Sequence, residues 1–161
     1  HMTSISCCRA RATRALYHTE AQIIEKIPHM IRARSLSSLQ KRLDLIWHDW
    51  VTQRGSQRPK PLLRFGPGVR HGRYRLSYTQ DTDPGQVIEL APGGRNWYVL
   101  AHELAHALGP SEHGIGFARV YHDLLNHDTF KTIMSTPRGQ EFLEYLRVEH
   151  PRQVRRIYRN R

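Results

Sequence analysis

Cysteine is nearly absent from this chain: Cys7 and Cys8 are the only two, and an adjacent pair cannot build a disulfide framework. No secretory apolar stretch follows the start, so the expected setting is reducing, intracellular and cytoplasmic. Long apolar runs are missing too. None approaches the roughly 18 residues that a membrane-spanning helix needs, which excludes an integral helical membrane protein and leaves no membrane partner to expect. Internal repeats and low-complexity tracts are also lacking. Acidic residues are scarce, with 14 Asp and Glu against 25 Lys and Arg, for a formal charge of +11.

Of those 25 basic residues 21 are Arg, and the sequence pI is near 10.4. A guanidinium presents a fork of donors that matches phosphate, so nucleic acid held through an Arg-rich surface is one expected partner. A solvated basic surface with no partner accounts for the same composition. The Ser- and Arg-rich opening from Thr3 to Leu16 has the composition of an organellar transit segment, yet it runs into an amphipathic helix and is read as part of the fold. A length of 161 residues and a mean hydropathy of −0.63 fit one water-exposed domain over residues 1–161. His1-Met2 is set aside as a cloning remnant.

Periodicity divides the chain into a helical start, a short sheet and a helical end. Leu16, Ile23, Ile24 and Ile27 predict a helix from Arg9 to Lys26 that stops before Pro28. Leu36, Leu39, Leu43, Ile46, Trp47 and Trp50 recur at three and four residues behind the cap candidates of Ser35–Ser38, a stripe assigned to hydrophobic support. The residues Gly55–Pro61 form a loop by composition. Three strands are then expected: Leu62–Phe65, an alternating half-exposed Arg73–Tyr78, and Gln86–Leu90 after a turn at Asp81–Gly85. Behind them, Phe117, Val120, Tyr121, Leu124 and Leu125 mark a helix. Phe142–Leu146 marks another, which Pro151 is expected to separate from a basic C-terminal helix over 150–161 with five Arg in its last ten residues.

The chemistry concentrates in Trp97–Gly114. On a helix, His102 and His106 stand four residues apart on one face and can offer a ring nitrogen each to one metal ion. Glu103 is turned away from that ligand direction but can reach a water beside the metal, the position of a general base. Trp97–Leu108 is competent to be helical, with Asn96 a candidate cap. Gly109-Pro110 ends it, Gly109 being suited to a left-handed cap. The turn returns Glu112 and His113 toward the metal, and either can serve as third ligand. Arg119, Tyr121 and His122 follow closely enough to support the site, though each alone reads more readily as a structural or solvated residue, and His127 is a further imidazole read as outside the ligand set. With 11 His in the chain a chance match to the motif is not rare, so the apolar lead-in, the helix stop and the third His carry the weight.

His-Glu-Leu-Ala-His followed by His113-Gly114-x-x-Phe117 resembles the SprT-like and WLM branch of the zincin metallopeptidases, and a group of small bacterial metallohydrolases with the same run. The resemblance covers residues 86–127. It implies a zincin-like α+β fold: N-terminal helices, a small three-stranded sheet, the His-Glu-x-x-His helix and C-terminal helices. It also implies Zn2+ as cofactor, His102, His106 and His113 as its ligands, Glu103 as catalytic base, and a peptide or protein as substrate. The gap between His106 and His113 is short for the SprT type, and no Cys-rich zinc ribbon follows. A metzincin-like spacing competes, with Glu112 as third ligand and Thr132-Ile133-Met134-Ser135 in the place of a Met-turn. His113 is favoured because imidazole is the commoner partner of a two-His zinc site, and Met134 is read as a helical packing residue. A strand beside the cleft, Val87–Leu90 or Tyr74–Tyr78, is the candidate to pair an extended peptide, with a closed small-molecule pocket as the alternative that the sequence leaves open. A basic nucleic-acid-binding protein with a structural zinc is the competing expectation.

Overall fold

The computed structural model describes residues 14–16, 18–55, 59–67, 72–78, 84–110 and 112–159. Residues 14–16 and 18–24 are helical (α1), followed by the single turn Pro28–Ile31 (α2) with Pro28 at its start. Of the expected Arg9–Lys26 helix, residues 9–13 lie outside the described residues, as do Cys7 and Cys8. Helix α3 spans Leu36–Arg54, and the Ser35 hydroxyl accepts from the Ser38 amide at 3.2 Å, a Ser cap satisfying one of the open first-turn donors. Leu39, Leu43, Ile46 and Trp47 are buried along it, whereas Leu36, in its first turn, stays exposed.

Strands β1 (Leu62–Phe65), β2 (Gly72–Tyr78) and β3 (Pro84–Leu90) form one sheet in the order β1-β3-β2. β1 runs parallel to β3, pairing Leu63 with Ile88, and β2 runs antiparallel to β3, pairing Tyr74 with Ile88. The last strand takes in Pro84 and Gly85, which the sequence assigns to a turn; proline is tolerated at the first position of a strand. The order of the strands also corrects the expectation for Val87–Leu90. These residues lie in the middle strand, hydrogen-bonded on both sides, and have no open edge to offer a peptide. β2 pairs only with β3 among the described residues.

Helix α4, Trp97–Leu108, is the centre of the molecule. Its residues from Tyr98 to Ala107 are all buried, because it is apolar around its whole circumference except for His102, Glu103 and His106. Asn96 caps it, accepting from the Val99 amide at 2.9 Å. β2, β3, α2 and α3 pack against it, and so does α5, Ile115–Leu125. The Leu39, Leu43, Leu100, Leu104, Phe117, Tyr121 and Phe142 side chains join in one core.

Past α5 come Asp128–Phe130, a 3-10 turn, and the four-residue helix α6 (Lys131–Met134), in which Met134 is buried in the core. Helix α7 (Pro137–Glu144) is capped by Thr136 and continues into α8 (His150–Arg159) through a π turn, Tyr145–Glu149. Pro151 therefore does not separate two helices, contrary to the sequence-based expectation. The His150 amide donates to the Tyr145 carbonyl five residues back, and this widened turn accommodates a proline ring that would collide with a regular helical turn. The fold is α+β and mostly helical, and no helix among the described residues is long and apolar enough to cross a membrane.

Candidate metal centre

Three imidazoles converge at the end of α4. His102 and His106 face the same way from consecutive turns, and His113 arrives from the turn that leads into α5. The His102 and His113 Nε2 atoms are 3.0 Å apart, the His106 and His113 Nε2 atoms 3.1 Å. All three ligand atoms lie within 4.8 Å of one another. His102 and His106 are buried and His113 is half-buried, so the site meets solvent on the His113 side.

The turn that brings His113 back depends on Gly109. Its φ of −145° and ψ of −151° are extended, so it is not the left-handed cap expected from sequence. It is glycine because α5 comes too close: a Cβ there would sit 2.7 Å from Val120 Cγ2. Pro110 then takes part directly, its carbonyl accepting from His106 Nδ1 at 3.2 Å. Glu112 is exposed and stands outside the three-His cluster, which leaves His113 as the third ligand candidate.

The outer nitrogens of two rings fix what the inner ones can do. A carboxylate only accepts, so His102 Nδ1 carries the proton in its 3.0 Å bond to Glu20 Oε1. A carbonyl likewise requires the proton on His106 Nδ1. In the neutral rings both Nε2 atoms are then lone pairs aimed at His113 Nε2. A proton on His102 or His113 Nε2 satisfies one of the two contacts and leaves the other as lone pair against lone pair. A cation among the three satisfies both. Nitrogens bound at 2.0–2.1 Å around a tetrahedral zinc stand roughly 3.3 Å apart, close to the spacing of these atoms. The residues present fit a metal ion; the donor set does not by itself choose which.

Protonation of two of the three rings points the same way. Burial, then the neighbouring His102 charge, lowers the His106 pKa to about 4, against the opposing pull of the Pro110 carbonyl. Burial and the His102, His106 and His150 charges lower His113 to about 3. Both rings are thus deprotonated at neutral pH, as ligands must be. Burial opposes charge on His102 as well, but the Glu20 carboxylate, its hydrogen bond and the Glu103 charge outweigh it and raise this pKa.

Phe117 is the floor of the site. Its ring stacks on His106 at 4.4 Å between centroids and lies 5.0 Å from His113 and 5.1 Å from His102. Tyr121 meets His102 edge-on at 5.8 Å. Glu103, buried within α4, is close enough for its charge to act on His102. The other expected neighbours point elsewhere. His122 is half-buried and bonded to Asn126, Arg119 is exposed on the outer face of α5, and His127 uses both ring nitrogens, on Asp49 at 2.6 Å and on Thr129.

Two residues of the site are missed from sequence. Glu20, on α1, is 4% exposed and bonds His102 across 82 residues. Its signal is positional: Leu16, Glu20 and Ile24 recur at four, which places a carboxylate on the buried stripe of that helix. His150, 2% exposed, donates from Nε2 to the His113 carbonyl at 3.0 Å and so holds the turn that carries His113. Nothing in its sequence context marks it. No family model, curated protein or solved structure matches the chain, so what the site does is inferred from its own geometry.

Proposed function

We propose that the chain is a zinc-dependent hydrolase of the zincin type that cleaves amide bonds in peptides or proteins. The observation that carries this is the convergence of His102, His106 and His113 Nε2 beside a buried Glu103 on the same helix. Three protein ligands are one fewer than a closed structural zinc site uses. A zinc ion held there supplies a Lewis acid that polarises a carbonyl and brings the pKa of a water toward about 7. Glu103 takes the proton of the attacking water and passes it to the leaving amine. His102 and His106, their tautomers fixed by Glu20 and the Pro110 carbonyl, keep their Nε2 lone pairs directed inward. Phe117 keeps one side of the centre dry. β2, which packs on α4 and among the described residues pairs only with β3, is the strand suited to pair an extended substrate through backbone hydrogen bonds.

The test is hydrolysis of an unstructured protein substrate by the zinc-loaded chain, with Glu103→Gln beside it. The expected result is a loss of at least about 100-fold in the variant with its zinc retained. Activity that survives Glu103→Gln contradicts the proposal.

A specific surface favours a second reading, a nucleic-acid-binding protein whose zinc is structural. A groove of about 530 Å3 between α5 and the π turn with α8 is lined by Arg119, Arg147, Arg152 and Arg155. Arg147 and Arg152 pair with Glu144 and Glu149 at 2.8 and 2.9 Å, exposed pairs that cost little to exchange for phosphate. Salt-sensitive binding of a DNA or RNA strand, weakened by Arg119→Glu and Arg155→Glu and indifferent to Glu103→Gln, is what this reading requires.

A further inference from the structure

Glu20 bonds His102 of the three-His cluster at 3.0 Å, and it comes from the far end of the chain. At 4% exposure it is almost out of water, where an ionised carboxylate is costly unless its charge is answered. Its partner His102 is neutral when it acts as a ligand. A divalent ion on the other nitrogen of that ring supplies the missing positive charge through the imidazole. Carboxylate, imidazole and metal then form one polarised unit.

The helix that carries Glu20 is tied to the same part of the molecule that holds the third ligand. Gln153 Nε2 on α8 donates to Thr19 Oγ1 at 3.0 Å, and the Tyr145 hydroxyl in the π turn lies 3.4 Å from the Leu16 carbonyl. His150, which ends that turn, donates to the His113 carbonyl. The two ligands His102 and His113 are therefore oriented from behind by elements packed on each other.

We propose that Glu20 is the positioning residue of the metal centre, acting through His102 so that the docked N-terminal helix sets how tightly the site holds zinc. This rests on His102 being a ligand, as above. Glu20 touches neither substrate nor metal. It fixes which His102 nitrogen carries the proton, holds the ring plane, and makes Nε2 a stronger donor.

The experiment is zinc affinity by competition with a chromophoric chelator at neutral pH, on the full chain as wild type, Glu20→Gln, Glu20→Ala and Glu25→Gln. Glu25 is exposed on the same segment, so its variant removes an equal charge without touching His102. The expected result is a weakening of about 10-fold in Glu20→Gln, which keeps an acceptor oxygen but no charge, and toward 100-fold in Glu20→Ala, with Glu25→Gln as wild type. Cobalt loaded in place of zinc should show a shifted visible band in Glu20→Ala, a signature that a role in packing alone would not move. If Glu20→Ala fails to fold, Glu20→Gln carries the test. Zinc bound by wild type and Glu20→Gln within about twofold of each other overturns the proposal alone. No zinc uptake by any form overturns the metal centre and the proposal with it.

Discussion

Replacing Gly109 by alanine tests the helix turn that assembles the site. The added Cβ would lie 2.7 Å from Val120 Cγ2, 3.2 Å from Val120 Cβ and 3.3 Å from the Ala105 carbonyl. Ordinary carbon contacts are about 3.5–4.0 Å, so α5 must move by the better part of an ångström or Val120 must leave its one favoured helical rotamer. Overpacking of this kind costs about 1–3 kcal/mol. The stiffer unfolded chain returns about 0.4–1 kcal/mol, since the extended conformation of Gly109 is one alanine also adopts. A net loss of roughly 1–2 kcal/mol lowers Tm by about 2–4 °C for each kcal/mol in a domain of this size. The same displacement draws the Pro110 carbonyl off His106 and shifts His113, so zinc affinity falls as well. Thermal melts of the metal-free chain and zinc competition measure the two effects. Val120→Ala removes the colliding methyl groups and should restore part of both in the Gly109→Ala background, a coupling of about 0.5 kcal/mol or more. A silent Gly109→Ala, or a double variant no better than the sum of the two, refutes the close-approach account of this turn.

Two further outcomes follow from the same geometry. Phe117→Ala removes the ring beneath all three imidazoles and should cost about 3–5 kcal/mol of stability, whereas Phe117→Leu should cost less and still weaken zinc; equal zinc affinity in Phe117→Leu and wild type would deny the ring its role as floor. In the metal-free chain, folded His106 titrates near 4 against an ordinary 6.5, so the unfolded state binds the extra proton in between and stability falls as pH drops from 6.5 toward 4. That shift is worth roughly 3 kcal/mol for His106, and His113 adds in the same direction, while His102, with its raised pKa, contributes stability that is lost as pH rises. Urea unfolding across pH 4–7 should be steeper in wild type than in His106→Asn; parallel profiles would contradict it.

The pairing of His102 with His106 is legible because helical spacing alone puts the two on one face, and Gly109-Pro110 marks where the chain must turn. The extents of α3, α4 and α5 follow from apolar periodicity and from caps such as Ser35 and Asn96, which are local signals. What was hidden is non-local. The place of β3 between its neighbours is decided by pairings between distant residues, and no residue of Val87–Leu90 announces a middle strand. Glu20 acts across 82 residues, so its partner could not be read even though its place on a buried stripe could. The π turn at Tyr145–Glu149 reverses the usual meaning of Pro151, because the helix widens before the proline instead of ending. His127 was a candidate by residue type only, and its bond to Asp49 gives it a structural task.

The most direct test is the metal content of the purified chain by elemental analysis, with His113→Ala and Glu112→Ala prepared alongside. About one zinc per chain in the wild type, lost in His113→Ala and kept in Glu112→Ala, is the result the three-His centre requires. A wild-type chain that carries no metal and takes none up from added zinc, or one that keeps its zinc without His113, would contradict it.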